Sequence, residues 1–117
     1  MKPYIAPLSK ALSDLQTATM WLVQNGMSNP DNAGAASTDY MHLFGLVALG
    51  HMWALMAATA QEKLATGAGE SAQFLENKLL TGKFFMERII PESATHLVRI
   101  QSGCETMMAM DAAIPLA

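Results

Sequence analysis

The sequence is poor in charge and in cysteine. Of its 117 residues, 15% are Asp, Glu, Lys or Arg, against about 25% in a typical soluble domain, whereas 51% are apolar. We therefore expect part of its surface to meet another protein surface. The net charge of −3 disfavours nucleic acid and anionic membranes as partners. The single cysteine, Cys104, excludes an internal disulfide, and nothing in the cysteine usage points to secretion.

Patterns that mark several enzyme classes are also missing. The sequence has no strand-like alternation, no internal repeat, no βαβ pattern, no glycine-rich phosphate loop and no nucleophile elbow. Its first residues lack the apolar region of a signal peptide, so we expect a cytoplasmic protein. The length predicts one domain over residues 1–117 with a real core, and residues 111–117 lack periodicity and are expected to be a loose tail.

The chain is organised around residues 39–62, which contain no Lys, Arg, Asp or Glu between Asp39 and Glu62. One seam has the 3-4 spacing of a helix face: Leu46, Leu49, Trp53, Met56, Ala60 and Leu64. A second apolar side comprises Phe44, Val47, Ala48 and Leu55, and a third carries small residues, Gly50, Ala54 and Ala58. This pattern predicts a helix buried nearly all round, with Trp53 at the centre of the core.

A membrane span is the alternative interpretation of this stretch, because about 20 apolar residues suffice to cross a bilayer. However, His42 and His51 lie inside it, no basic cluster flanks it, and it has no aromatic belt. A buried helix in a soluble bundle fits better, and we expect no membrane span.

The first half of the chain predicts two helices. The first covers residues 7–24, and its stripe is Leu8, Leu12, Leu15 and Leu22, with Ala11 and Ala18 beside it. Asn25 and Gly26 predict a left-handed stop. Residues 27–37 form a turn-rich connector that becomes helix somewhere after Pro30. The second helix continues to about Ala65, and residues 66–69 end it.

The second half predicts two shorter helices separated at Pro91. Helix 3 begins near Ser71, and its stripe is Leu75, Leu79, Gly82, Phe85, Met86 and Ile89. Pro91 would clash with the carbonyl of Glu87 in an unbroken helix. Helix 4 restarts at residues 91–92, and its stripe is Leu97, Ile100, Cys104 and Met107 or Met108.

These lengths predict an all-α, antiparallel up-and-down bundle. Helix 2 should be about 45–50 Å long, and helices 3 and 4 together match it. We expect three rods, the third kinked or broken at Pro91, which makes four helices by count. Four apolar residues fall outside the stripes: Trp21, Leu80, Phe84 and Ile90. We expect them to form an exposed patch through which the chain becomes a homo-oligomer, most simply a two-fold dimer.

Three sequence blocks carry a family resemblance. Residues 39–53 read DYMHLFGLVALGHMW, which is similar to D-Y-L-x-L-F-G-L-V-A-L-G-x-M-W. Residues 78–92 read KLLTGKFFMERIIPE, which is similar to K-x-x-T-x-R-F-F-M-x-R-x-x-P-E. Residues 99–103 read RIQSG, which is similar to R-I-x-x-G. These blocks, in this order, resemble the helical C-terminal domain of flavin-dependent acyl-CoA dehydrogenases, including the 3-methylmercaptopropionyl-CoA dehydrogenase branch. His51 stands where the family usually has an aromatic residue, His42 stands at a variable position, and Lys83 stands where Arg is common; the resemblance holds despite these differences.

The resemblance implies an accessory, non-catalytic domain that supplies packing and subunit contacts. In the parent enzyme, FAD takes the hydride in the α,β-dehydrogenation of an acyl-CoA thioester. The flavin site and the glutamate base belong to domains N-terminal to this one, so the resemblance implies no cofactor in this chain and the parent's catalytic domains as partners. We expect an excised domain or a truncated gene product that is not an enzyme by itself. The alternative is a free-standing helical scaffold or dimerisation module.

Histidines paired with carboxylates are the first candidates for a metal site. Asp39 and His42 share a helix face, as do Glu92 and His96. Di-iron bundles use two Glu-x-x-His motifs and two further glutamates, which this chain lacks. Ten methionines could suggest haem ligation, but Met is more often core filler, and no haem-attachment motif is present. We therefore expect neither a metal nor a haem.

Three further residues have a functional and a plain interpretation. Cys104 lies on an apolar stripe, which favours a buried, inert thiol over a nucleophile. Lys83 and Arg88 could meet a CoA phosphate, but a solvated helix face is the favoured interpretation. We assign no catalytic, cofactor-binding or metal-binding residue.

Overall fold

The computed structural model describes residues 1–67, 69 and 71–110, and it is an all-α bundle. Its helices are α1 (Lys2–Gly26), α2 (Pro30–Thr66), α3 (Ala72–Phe84), α4 (Ser93–Gln101) and the short α5 (Glu105–Met108). Between α3 and α4 lie a π-helical turn (Phe85–Ile89) and a 3-10 turn (Ile90–Glu92). The predicted bundle of rods, with the third broken near Pro91, is confirmed. The predicted tail at 111–117 lies outside the described residues.

Helix α1 begins earlier than predicted, at Lys2, with Pro3 in its first turn and Pro7 inside the helix. Pro3 suits this position because the first turn has no intrahelical use for its missing N–H. The predicted left-handed stop at Asn25–Gly26 is wrong, since Met27 continues with right-handed dihedrals, φ −76° and ψ −35°. The stripe is also rotated: Ala11, Leu15 and Ala18 are buried, whereas Leu12 is exposed.

Helix α2 takes over most of the predicted connector. The side chain of Asn29 accepts a hydrogen bond from the N–H of Asp31 at 3.1 Å, and Pro30 occupies the first helical position. This cap starts the helix at Pro30 itself, so residues 30–37 are helical and only 27–29 connect the two rods. At its other end Gly67 adopts φ +69°, the left-handed conformation that ends a helix and that glycine adopts without strain. The helix is about 55 Å long.

The predicted burial of α2 is wrong in extent and in direction. Its covered face consists of Ala36, Leu43, Leu46, Gly50, Ala54, Ala57 and Ala60. Leu49 and Ala58 are exposed, and Trp53 and Met56 are only partly buried. The small residues Gly50 and Ala54 do face a neighbour closely, as predicted: a Cβ at position 50 would lie 2.6 Å from Ile90 Cδ1. The bundle is built around the small-residue side of α2, because it allows close helix packing.

The third rod begins as predicted, with the hydroxyl of Ser71 accepting the N–H of Phe74 at 3.3 Å. Its stripe is confirmed at Leu75, Gly82, Phe85 and Met86, which are buried, while Leu79 is partly buried. Ile89 was wrongly placed in the core, and Ile90 was wrongly placed outside it, since Ile90 is 1% exposed. The π-helical turn at Phe85–Ile89 contains one residue more than an α-turn, which moves the buried position from 89 to 90.

After the break, Ile100 of α4 is buried in the core, and Cys104, which comes after α4, is buried as well. Gly103 has φ +73° and reverses the chain between α4 and α5. Because the helix ends there, Met107 and Met108 do not continue its stripe, and both are exposed.

The core consists of two clusters of buried residues. The first contains Tyr4, Leu46, Phe85, Met86 and Ile90, with alanines from α1 and α2. The second contains Leu15, Ala18, Ala36, Leu43 and Ile100. Val47 packs against both clusters. Trp53 packs at the edge of the first, so its predicted place at the centre of the core is wrong.

Candidate interaction surface

The side of α2 that faces away from the bundle is apolar, and none of the described residues covers it. Its large side chains keep half or more of their surface exposed: Met41 62%, Phe44 55%, Leu49 54%, Met52 52% and Leu55 50%. Ala48 is exposed between them. We call this the outward face of α2. Contiguous exposed apolar side chains on a protein surface are typical of interaction sites.

A groove continues the outward face toward α3. It encloses about 250 Å³. Its lining includes Met52, Leu55, Met56, Thr59 and Lys63 from α2 and Phe74, Leu75 and Lys78 from α3. The ammonium of Lys78 lies 5.7 Å from the Trp53 ring centroid and 5.6 Å from that of Phe74. These cation–π contacts hold the ammonium of Lys78 near the two aromatic rings.

A smaller apolar patch lies on α3, where Leu80 is 68% and Phe84 57% exposed. Both belong to the four apolar residues outside the stripes that were predicted to be exposed, and for these two the prediction is confirmed. Trp21 is instead partly buried against the second core cluster. Neighbouring Phe84 and Phe85 separate as helix geometry requires, because Phe85 is buried. Lys83 and Arg88 are exposed beside this patch.

The histidines do not pair as the helix spacing suggested. Asp39 accepts from His96 across α2 and α4, with Nδ1 2.8 Å from Oδ1, and Arg99 lies 3.5 Å from the same oxygen. The ring of His42 stacks on that of His96, with centroids 5.6 Å apart. Within the part of the chain that the structure describes, no three His, Cys, Asp or Glu side chains are grouped to hold a metal. This cluster connects two helices.

The family resemblance places FAD in other domains of the parent enzyme, and the two clefts described next, formed by the described residues, do not have linings that suit it. The groove beside α3 is small and apolar. A cleft of about 550 Å³ near the end of α4 is lined by Asp31 and Glu105, and the described residues that line it include no Lys or Arg. Two carboxylates would repel the pyrophosphate of a dinucleotide.

Cys104 is buried, as predicted, and two asparagines surround it. Its sulfur accepts from Asn29 Nδ2 at 3.5 Å, and its N–H donates to Asn32 Oδ1 at 3.0 Å. Both contacts link the start of α2 to the end of α4. The thiol therefore belongs to the packing of this corner.

Among the described residues, the predicted stripes leave out three buried residues with polar side chains: Asp14, Ser93 and Tyr4. Asp14 is only 4% exposed, accepts from the hydroxyl of Ser93 at 2.8 Å and pairs with Lys10. Tyr4 donates its hydroxyl to the carbonyl of Leu79 at 2.7 Å, and burial raises the pKa of this phenol above its ordinary 10.0. A single Asp on the apolar stripe of α1 was the available signal, because a carboxylate there must find a partner.

By length and composition α2 could also cross a membrane, since its most apolar 18-residue window has mean hydropathy 1.6 and is one third buried. Core helices of soluble proteins satisfy the same criterion, so this is weak evidence.

A comparison with protein families gives this bundle a relative. A family model described as acetyl-CoA dehydrogenase C-terminal like matches residues 1–111. The chain belongs to this family. A search of curated proteins found no match. The family match confirms the resemblance to acyl-CoA dehydrogenase C-terminal domains. The structure has the helical fold that this resemblance implied.

Proposed function

We propose that the chain is the accessory, non-catalytic C-terminal domain of an FAD-dependent acyl-CoA dehydrogenase of the 3-methylmercaptopropionyl-CoA dehydrogenase-like branch. The parent enzyme removes two hydrogens across the α,β bond of an acyl-CoA thioester, and its FAD takes the hydride. The branch assignment rests on the three sequence blocks at 39–53, 78–92 and 99–103.

One observation supports the role of this domain: the outward face of α2 is apolar and uncovered on a chain that belongs to a dehydrogenase C-terminal family. Its residues carry no charged side chain between Asp39 and Glu62. Removing such an apolar surface from water lowers the free energy by about 25 cal/mol per Å². We infer that the domain supplies packing area to the assembled enzyme, while the chemistry occurs in the catalytic domains.

A second candidate function is a free-standing scaffold or dimerisation module. The bundle has two core clusters of its own, joined through Val47, and needs no further domain to form them. Both functions use the same outward face. They differ in whether a flavin-binding domain is covalently attached.

The reading frame in its genome distinguishes the two candidates. We expect the frame to continue upstream into a flavin-binding acyl-CoA dehydrogenase. The intact enzyme, once purified, should show flavin absorbance and reduce an artificial electron acceptor in the presence of an acyl-CoA. Removing the segment that corresponds to residues 1–110 should keep bound flavin but lower thermal stability and change the oligomeric mass. A frame that begins at Met1, with no flavoprotein fused or encoded beside it, would support the scaffold instead.

The isolated chain gives a second test. Titrated by calorimetry with FAD and with an acyl-CoA, it should show no one-site binding in the micromolar range, because the acidic cleft and the small apolar groove suit neither ligand. Saturable micromolar binding of either one would contradict the accessory, non-catalytic role.

A further inference from the structure

We propose that the groove between α2 and α3 is a binding site for a small amphipathic anion, a free medium-chain carboxylate. Its carboxylate group meets the ammonium of Lys78, and its aliphatic chain lies against Met52, Leu55, Met56 and Phe74. This inference goes beyond the packing role proposed above and does not depend on it.

The two cations of the groove differ from every other Lys and Arg in the chain. Lys63 and Lys78 line the groove and are partly buried. The other five are exposed: Lys2, Lys10, Lys83, Arg88 and Arg99. The side chains of Lys10 and Arg99, for example, keep 65% and 61% of their surface exposed. Because taking a cation out of water costs free energy unless an anion compensates it, this placement indicates that the groove accepts negative charge.

Lys78 is the cation to which we assign the carboxylate. Its ammonium lies 5.7 Å from the ring centroid of Trp53 and 5.6 Å from that of Phe74. Within the part of the chain that the structure describes, it forms no ion pair. The two rings attract the positive charge through their faces, but the three N–H donors of an ammonium still need acceptors, which a ligand carboxylate supplies. Lys63 already has an interaction of its own, so it adds positive charge without being assigned the headgroup.

The rest of the groove suits an aliphatic chain. Its other described lining residues are apolar apart from one threonine: Met52, Leu55, Met56, Thr59, Ala60, Phe74 and Leu75. The flexible methionine side chains can adapt to the shape of a bound chain. No Asp or Glu is among the described lining residues, and Glu62 and Glu76 of the same two helices are exposed outside the groove.

The volume of the groove sets the length of the chain. A methylene group takes about as much space as a water molecule, roughly 30 Å³ in the liquid, so about 250 Å³ holds a chain of about eight carbon atoms. Octanoate matches this size. At the efficiency of ordinary small ligands, its roughly ten non-hydrogen atoms give a Kd on the order of 1 mM. A CoA thioester fits less well, because it has no carboxylate at this point and its nucleotide is larger than the groove.

The methionine methyl groups can report binding directly. The whole chain, labelled with ¹³C at its methionine methyl groups, is titrated with octanoate and followed by NMR. We expect saturable shifts of the signals of Met52 and Met56, which line the groove. The signals of Met20 on α1 and Met107 on α5 should stay in place. Met52→Leu and Met56→Leu assign the two reporting signals, because each variant loses one of them.

Two ligands with the same chain separate charge from apolar burial. We expect 1-octanol, which is neutral, to bind at least about fivefold more weakly than octanoate, because the charge-assisted hydrogen bond to the ammonium is missing. Octyltrimethylammonium should bind more weakly still, because its cation would lie beside Lys78.

Variants of Lys78 test the headgroup. Lys78→Gln should weaken octanoate binding at least about fivefold and leave the weak binding of 1-octanol unchanged, a pattern that a merely structural role of Lys78 would not give. Lys78→Arg keeps the positive charge and should keep most of the affinity. The matched control is Lys83→Gln, which removes an exposed lysine of the same helix and should have no effect. Unchanged signals of Met20 and Met107 show that each variant is folded.

Three outcomes would overturn the proposal. The first is the absence of saturable shifts at Met52 and Met56 with octanoate. The second is equal binding of octanoate, 1-octanol and octyltrimethylammonium, which would make the groove a merely apolar depression. The third is an equal loss of octanoate binding in Lys78→Gln and Lys83→Gln. None of them bears on whether the reading frame encodes a flavoprotein, so the proposed function succeeds or fails separately.

Discussion

The two sides of α2 invert the usual distribution of side-chain size. Its covered side is mainly small, with Gly50 and four alanines beside Leu43 and Leu46. Its outward face has the larger residues, such as Phe44, Met52 and Leu55, at half exposure or more. Small residues allow α1 and the third rod to approach closely, whereas the bulky residues of the outward face stay exposed.

This difference shows why hydrophobicity alone does not orient such a helix. Both sides are apolar, so the periodicity of apolar residues has no single direction. Close approach is decided by size: a Cβ added at Gly50 would meet Ile90 at 2.6 Å, but a Cβ added at Gly45 meets nothing within 4 Å. Where both sides are apolar, the small-residue side is the one to assign to the intramolecular core.

The largest effect should come from truncating one leucine on each side. Leu43 is 0% exposed, so Leu43→Ala should lower the free energy of unfolding by about 2–5 kcal/mol through lost burial and a residual cavity. Leu49→Ala, with the same atoms removed from a side chain that is 54% exposed, should change it by no more than about 0.5 kcal/mol. Urea unfolding at low micromolar concentration measures both. Equal losses would mean that the assignment of covered and uncovered sides is wrong.

Much of the fold could be predicted from the sequence because the residues that start, end and break the helices act locally. Ser71 as a cap, Gly67 as a stop and Pro91 as a break each act through the backbone of their own turn, and all three hold. The predicted start of α2, somewhere after Pro30, is too late. The cap at Asn29 makes that proline the first helical residue.

The rest depends on tertiary context that spacing does not contain. The exchange of Ile89 for Ile90 in the core follows from a π-helical turn, and nothing in the residue pattern distinguishes it from an α-turn. The contact of His96 with Asp39 joins positions 57 apart in sequence, so helix spacing paired each with the wrong neighbour. The low charge content predicts surplus apolar surface, and the stripes place it at Trp21, Leu80, Phe84 and Ile90. Its larger part is on α2.

Trp53 lies at the border between the two sides of α2 and should give an intermediate effect. Its ring stacks on Phe85 with centroids 6.3 Å apart, but the residue is only partly buried. Trp53→Ala should therefore cost about 2 kcal/mol, less than the roughly 3–5 kcal/mol of a fully buried tryptophan. Phe84→Ala, an exposed aromatic on α3, is the control and should cost little. A loss from Trp53→Ala as large as that from Leu43→Ala would return Trp53 to the centre of the core.

Glycine substitutions sharpen the argument from size, with an expected effect near 1 kcal/mol. At Gly82 a Cβ would lie 3.1 Å from both Trp53 Cε3 and Tyr4 Cε1, two rings that cannot move aside independently. Gly82→Ala should destabilise by about 1 kcal/mol, because crowding outweighs the gain in helix propensity. Gly34→Ala, with nothing within 4 Å, should instead stabilise by about 0.5–1 kcal/mol. If both substitutions stabilised the chain, the third rod would pack less closely than the structure has it.

Alkaline pH offers the mildest way to weaken the covered side alone. Tyr4 belongs to the core cluster that includes Leu46 and Ala54 of α2, and burial raises its pKa above 10.0. Above pH 10 the unfolded chain therefore loses this proton before the folded chain does, so the folded state binds more protons and stability falls as pH rises. The contribution is fully present below pH 10 and is lost as pH rises toward the raised pKa.

Tyr4→Phe should cost about 1 kcal/mol at neutral pH through the missing hydrogen bond to Leu79, and it should remove this part of the alkaline decline. Urea unfolding of both proteins between pH 7 and pH 11 makes the comparison, with Tyr40→Phe as the control for the other tyrosine. Parallel stability curves for Tyr4→Phe and the unmodified chain would show that the phenol of Tyr4 titrates as it does in the unfolded chain.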